Sequence, residues 1–138
     1  MFATRLARTF FGSIRKMEAK LDAIPLVDID PEGIFKYILI KVHGPVKDGV
    51  EPSKHIVRGY ARAQWHNDIY EEVAPGIEGL GFDAECVGGG RIEHLPEKKK
   101  LKVYGHSTGF GKADHSISRE VLKTKYSNYE IEISDEGY

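Results

Sequence analysis

The length, charge and cysteine content of the chain exclude several classes of protein. Its 138 residues are 41% hydrophobic and 30% charged, a balance typical of one globular domain. Twenty basic residues meet 21 acidic ones, so no overall positive field favours nucleic acid, and no apolar run approaches the roughly 18 residues of a membrane span. Cys86 is the only cysteine, which excludes an intrachain disulfide and a cysteine-built zinc site and favours a reducing compartment.

The first residues differ in composition from the rest of the chain. No acidic residue occurs up to Met17, whereas Arg5, Arg8 and Arg15 are present among hydrophobic residues at helical spacing. This pattern is typical of a mitochondrial presequence, and a plain basic extension is the alternative. We expect residues 1–23 to be this extension ahead of a domain over residues 24–138. The expected localisation is cytoplasmic, or mitochondrial if the extension is a targeting signal.

The first half of this domain combines strand and helix patterns. The β-rich run Phe35–Val42 predicts a central strand, and a second strand is predicted over residues 55–60. Glycines and prolines predict a loop over residues 43–54. Apolar residues spaced four apart predict a helix over residues 63–73, which Pro75 is expected to end or kink.

The second half continues with short strands and one helix. Residues 82–87 predict a strand that the glycines at 88–90 are expected to close, and residues 91–104 predict a hairpin. A helix is predicted over residues 113–125 and a strand with a short polar tail over residues 129–138. The whole pattern indicates a single α/β or mixed α+β domain with about six strands.

A glycine-rich loop between a predicted strand and a predicted helix is the most informative motif. It runs from Tyr104 to Gly111, and its backbone N–H groups and small side chains suit an anion such as phosphate. Neither a Walker loop nor a dinucleotide fingerprint fits its spacing. A Gly-x-Ser-x-Gly run occurs within it, but more glycine-rich loop follows before the helix, unlike a hydrolase elbow. A plain strand-to-helix turn is the alternative.

Three basic residues interrupt apolar or glycine-rich strands. These are Lys36, Arg58 and Arg91. Because an unpaired buried charge is costly, three such cations around one anion would explain their positions. The alternative is that each points to solvent from an open sheet face.

His66 stands at the predicted helix start beside a tryptophan. The positive end of a helix keeps a histidine neutral, so His66 is a candidate base or nucleophile near neutral pH, and a capping or surface histidine is the alternative. The other histidines, such as His94, His106 and His115, lack the spacing of a metal site. We therefore expect no metal and no other cofactor.

Several of these segments together resemble one known family. The segments are Gly33-Ile-Phe-Lys-Tyr37, Ile56-Val-Arg-Gly-Tyr60, Trp65-His-Asn-Asp-Ile69, Glu85-Cys-Val-Gly-Gly-Gly-Arg-Ile92, Lys102-Val-Tyr-Gly-His-Ser107 and Phe110-Gly-Lys-Ala-Asp-His115. In this order, the chain from about Pro25 to Tyr138 resembles the janus/protein phosphohistidine phosphatase family, most of all its insect janus members. Two departures are Trp65, where vertebrate members carry tyrosine, and the lone Cys86, where they carry several cysteines.

The resemblance implies a fold and an activity. The fold would be a mixed sheet with helices on both faces. The activity would be metal-independent hydrolysis of the N–P bond of phosphohistidine in proteins. His66 matches the family's catalytic histidine, whose expected role is that of a proton acceptor, and Lys36 matches its substrate-binding lysine. Whether His66 acts as a general base or as a nucleophile stays open.

The resemblance also implies how the phosphate is held. Ser107, Thr108 and Gly109 match the loop whose backbone N–H groups bind it, and Arg58 and Arg91 match arginines that support the positive site. The implied partners are phosphohistidine-containing proteins, with no nucleic acid or membrane, and the protein is expected to be a monomer. The alternatives are a phosphopeptide- or anion-binding module without turnover, in which His66 would be dispensable, and a regulator in sex differentiation.

Overall fold

One mixed sheet organises the chain in the computed structural model, which describes residues 12, 15–46 and 48–135. Residues 1–11, 13 and 14 of the predicted extension and the final residues 136–138 lie outside the described residues. The strands are β1 (Val27–Ile29), β2 (Gly33–His43), β3 (Ser53–Gly59), β4 (Asp83–Leu95), β5 (Lys100–Tyr104) and β6 (Glu130–Ile133). The helices are α1, described over residues 15–23, α2 (His66–Glu78) and α3 (His115–Lys123), with a 3₁₀ turn at Pro96–Lys98.

The strand order confirms the predicted single domain with a six-stranded mixed sheet. The order is β1-β3-β2-β4-β5-β6, in which β1 pairs with β3 and β5 with β6 in parallel, and the central pairs are antiparallel. No helix in the described part of the chain is long and apolar enough to span a membrane.

The two faces of β2 explain its almost continuous apolar sequence. Tyr37 and Leu39 belong to the core beneath α3, and Ile38 and Ile40 belong to the core beneath α2, all four without solvent exposure. A strand covered on both sides has to be apolar at successive positions. Helices therefore cover both faces, as predicted. The described part of α1 adds Leu21 to the core beneath α2, and the domain boundary at residue 23 stays a prediction.

The three glycines at 88–90 do not close a strand, contrary to the prediction. They lie inside β4, which runs through them from Asp83 to Leu95 and carries a bulge opposite Leu39 and Ile40. A Cβ on Gly90 would lie 2.4 Å from the carbonyl oxygen of Tyr104. The missing side chains give neighbouring backbone room to approach the strand.

The predicted limits of α2 also need correction. The helix begins at His66 rather than Ala63, because the Trp65 N–H donates to the Asp68 carboxylate at 2.8 Å and caps the first turn. It continues through Pro75 to Glu78. Burial of Ile77 against the sheet holds the last turn in place although Pro75 donates no hydrogen bond.

Candidate functional site

A cavity of about 670 Å³ opens where the start of α2 meets the glycine-rich loop. Six of its lining residues were expected from the sequence, namely His66, Lys36, Arg91, Ser107, Thr108 and Gly109. They come from four places in the chain: β2, the start of α2, the middle of β4 and the loop after β5. The fold therefore brings the predicted histidine, two of the three predicted cations and the predicted loop to one cavity.

Hydrogen bonding fixes which nitrogen of His66 carries a lone pair. Its Nε2 lies 2.8 Å from the carbonyl oxygen of Gly90, and because a carbonyl only accepts, Nε2–H must donate. The lone pair of the neutral ring is therefore on Nδ1. Gly90 supplies this carbonyl from the middle of β4, so a rigid strand orients the ring.

The surroundings of His66 favour its neutral form. Burial of the half-buried ring lowers the pKa of His66 below the ordinary 6.5, the Gly90 hydrogen bond acts in the opposite direction, and the nearby Lys36, Arg91 and His106 side chains lower the pKa further. At pH 7 the ring is thus available as a base or nucleophile.

His66 and the glycine-rich loop lie close to each other across Gly89. A Cβ placed on Gly89 would be 2.8 Å from His66 Cδ2 and 3.0 Å from Ser107 Cβ, so these two atoms are within about 6 Å of each other. The Gly89 N–H donates to the Gly111 oxygen at 3.0 Å, and the Ala113 N–H donates to the Gly89 oxygen at 3.0 Å. The loop is therefore docked on β4 beside the histidine.

Hydrogen bonds within the loop decide which amides can receive an anion. The Ser107 N–H donates to the Gly111 oxygen at 3.0 Å, and the Ser107 hydroxyl accepts from the Phe110 N–H at 3.1 Å. Of the three predicted amides, that of Ser107 is therefore already used to close the turn. The amides of Thr108 and Gly109 have no acceptor within the described residues, so these two are the ones open to a phosphoryl oxygen.

A buried network supports the start of the loop from below. His115 Nε2–H donates to the Gly105 oxygen at 2.9 Å, and the Tyr37 hydroxyl lies 2.6 Å from His115 Nδ1 and 2.9 Å from Ser118 Oγ. Because Nε2 carries the proton, Tyr37 donates to Nδ1 and accepts from Ser118. The loop is thereby tied to the central strand β2.

The predicted cations do not all meet at the cavity. Lys36 and Arg91 are opposite each other across β2 and β4 and both line it. Arg58 is mostly buried on β3, and its guanidinium donates to the carbonyl oxygens of Val57 at 2.9 Å and Pro25 at 2.8 Å. Arg58 therefore does not line the cavity with the other two cations, since its guanidinium joins β3 to the chain before β1, and its supporting role at the site stays a prediction.

Comparison with known proteins identifies the family of the chain. The family model described as the Janus/Ocnus family matches residues 21–130. The chain belongs to the Janus/Ocnus family. It is 70% identical over 119 residues to "Sex-regulated protein janus-A" of Drosophila pseudoobscura pseudoobscura, covering 86% of this chain and 80% of the relative. The janus-A protein of Drosophila melanogaster is 57% identical over 126 residues, which cover 91% of this chain and 90% of the relative.

A relative with a biochemical name is also similar along most of its length. The "14 kDa phosphohistidine phosphatase" of Sus scrofa is 49% identical over 122 residues, which cover 87% of this chain and 97% of that protein. The match thus extends over nearly the whole of that phosphatase.

Four further residues line the cavity and were not predicted from the sequence as site residues. They are Trp65, Asn67, His106 and Phe110. Each is next to a predicted site residue in the sequence, and this neighbouring position is the signal that could have identified it. Among residues 12, 15–46 and 48–135, no three His, Cys, Asp or Glu side chains form a group that could hold a metal ion.

Proposed function

We propose that this chain is a metal-independent protein phosphohistidine phosphatase. The observation that carries the proposal is the common cavity of His66, Lys36, Arg91 and the loop amides. The similarity to the porcine phosphohistidine phosphatase supports the same activity. The proposed reaction is hydrolysis of the N–P bond, in which water supplies oxygen to phosphorus and the imidazole of the substrate leaves with a proton.

Positive charge and hydrogen-bond donors at the cavity would bind the phosphoryl group. The Thr108 and Gly109 amides and the ammonium of Lys36 hold its oxygens, and Arg91 adds positive charge. Ser107 closes the turn that presents these amides. Because the N–P bond is weak, positioning and charge neutralisation supply most of the acceleration.

His66 acts through Nδ1, whose lone pair is kept available by the Nε2–Gly90 hydrogen bond. It either accepts a proton from the attacking water or takes the phosphoryl group itself and passes it to water. Quenching a reaction in alkali during turnover separates the two routes, since only the second leaves a phosphorylated enzyme.

The test is phosphate release from a phosphohistidine peptide in excess EDTA. Wild type, His66→Ala and His43→Ala are compared, since His43 is a histidine at the end of β2 outside the cavity. Release by wild type and His43→Ala with loss in His66→Ala supports the proposal. The absence of release by wild type, with peptide binding still measurable, contradicts it and supports a phosphopeptide-binding module. The expected cytoplasmic localisation and monomeric state stay predictions.

A further inference from the structure

Trp65 presents a large aromatic surface at the rim of the cavity. This residue lines the cavity and is 62% exposed, the largest exposure together with Val46 among the large hydrophobic residues that the structure describes. Its backbone is fixed, because its N–H donates to the Asp68 carboxylate at 2.8 Å and its carbonyl accepts from the Asp68 N–H at 3.1 Å. Tryptophan is usually well buried, whereas within the described part of the chain most of the Trp65 surface is accessible to solvent.

A second aromatic ring borders the same cavity. Phe110, in the glycine-rich loop, packs edge-on against Tyr70 of α2, with 5.8 Å between ring centroids and an interplanar angle of 78°. The loop that offers amides to the phosphoryl group thus also offers an apolar wall. The cavity is thus lined both by groups that suit an anion and by two large aromatic residues.

The carrier of the phosphoryl group is what such a rim would contact. Phosphate needs donors and cations, not aromatic rings. In phosphohistidine the carrier is a flat aromatic imidazole, in phospholysine it is a flexible alkyl chain, and in phosphoramidate there is no carbon at all. Of these three, only the imidazole has a π-face on which an indole stacks.

We propose that the Trp65 ring stacks on the imidazole of phosphohistidine and makes the cavity selective for a phosphoryl group carried by an aromatic nitrogen heterocycle. This inference rests on the proposed phosphatase function. Trp65 directly precedes His66 in the chain, and both residues line the same cavity. The stacking interaction is equally strong in the bound substrate and in the transition state, so it lowers KM more than it raises kcat.

Fluorescence tests this contact without turnover, because Trp65 is the only tryptophan in the chain. A non-hydrolysable phosphoryl-triazole amino acid, which keeps an aromatic ring next to phosphorus, is compared with inorganic phosphate. We expect the triazole to change the tryptophan emission at saturation and phosphate to change it much less. Equal changes with the two ligands, or no change with either, would overturn the inference.

Kinetics test the selectivity with substrates that carry no flanking peptide. The kcat/KM values of wild type, Trp65→Ala, Trp65→Leu and Trp65→Phe are measured for phosphohistidine, phospholysine and phosphoramidate. The ratio for phosphohistidine over phosphoramidate should fall about tenfold, through KM, in the Ala and Leu variants, and the Phe variant should regain most of it. The Leu variant is the matched control, since it keeps apolar contact but has no π-face.

The remaining outcomes separate the inference from the proposed function. Equal loss on all three substrates would mean that Trp65 merely shapes the site, and loss only on a phosphohistidine peptide would mean contact with the flanking chain. Either result overturns the inference while the phosphatase stands. If wild type turns over none of the substrates, the proposed function fails, and the triazole titration alone decides whether the indole contacts the ring.

Discussion

Replacing Gly89 by alanine should damage the site and the fold together. The added Cβ would lie 2.8 Å from His66 Cδ2 and 2.9 Å from the carbonyl oxygen of Tyr37, where ordinary contacts are 3.4–4 Å. The Tyr37 oxygen belongs to the central strand and yields little, so the His66 ring has to retreat by about 0.6 Å. Because a displacement of about 1 Å costs roughly a hundredfold in rate, we expect kcat to fall about tenfold or more.

The same substitution overpacks the core between α2 and the sheet. Overpacking of this kind costs about 1–3 kcal/mol in the free energy of unfolding, which urea denaturation followed by circular dichroism measures. Gly76→Ala is the matched control. Gly76 lies in α2, and a Cβ added there would meet nothing within 4 Å beyond its chain neighbours and the adjacent helix backbone, so alanine there should stabilise by about 0.5–1 kcal/mol. Wild-type stability and wild-type kcat in Gly89→Ala would refute this explanation of the glycine run.

Three further predictions follow from individual contacts. Burial and nearby cations lower the pKa of His66 below 6.5. The value of kcat/KM for a phosphohistidine peptide should therefore be constant above neutral pH and fall only as the pH drops through that lowered pKa. A fall that begins above pH 7 would contradict the role of neutral His66. Tyr37→Phe leaves His115 Nδ1 without its donor and should lower the free energy of unfolding by about 1–3 kcal/mol, whereas an unchanged urea midpoint would mean that the bond contributes nothing. Arg58→Ala removes a mostly buried guanidinium that donates to two carbonyl oxygens, so it should clearly lower the thermal midpoint of unfolding. Arg62 is exposed, and Arg62→Ala should not measurably change that midpoint. The opposite ranking of the two variants would contradict the structural role given to Arg58.

The elements that the sequence predicted correctly are those with a local signal. The apolar run of β2 and the helical spacing in α2 are readable within a dozen residues, and so are the glycines of the loop after Tyr104. His66 and Lys36 could be selected because a titratable or charged residue in an apolar or capping context needs an explanation. The short strand β1 was not predicted, since its three residues form a strand only by pairing with β3.

The features that were mispredicted depend on distant parts of the chain. The glycines at 88–90 are typical of a strand end, but their function is to admit backbone and side chains from Tyr104, Ala113 and His66. Arg58 donates to the carbonyl oxygen of Pro25, which is 33 positions away in the sequence. No pattern within the segment around Arg58 carries that information.

The central claim is that His66 performs the chemistry in this cavity. A single-turnover experiment tests it most directly, with enzyme in excess over a phosphohistidine peptide, EDTA present, and wild type compared with His66→Ala. We predict that the rate of N–P cleavage falls at least about a hundredfold in the variant while the peptide still binds. Equal rates in the two proteins would contradict the account.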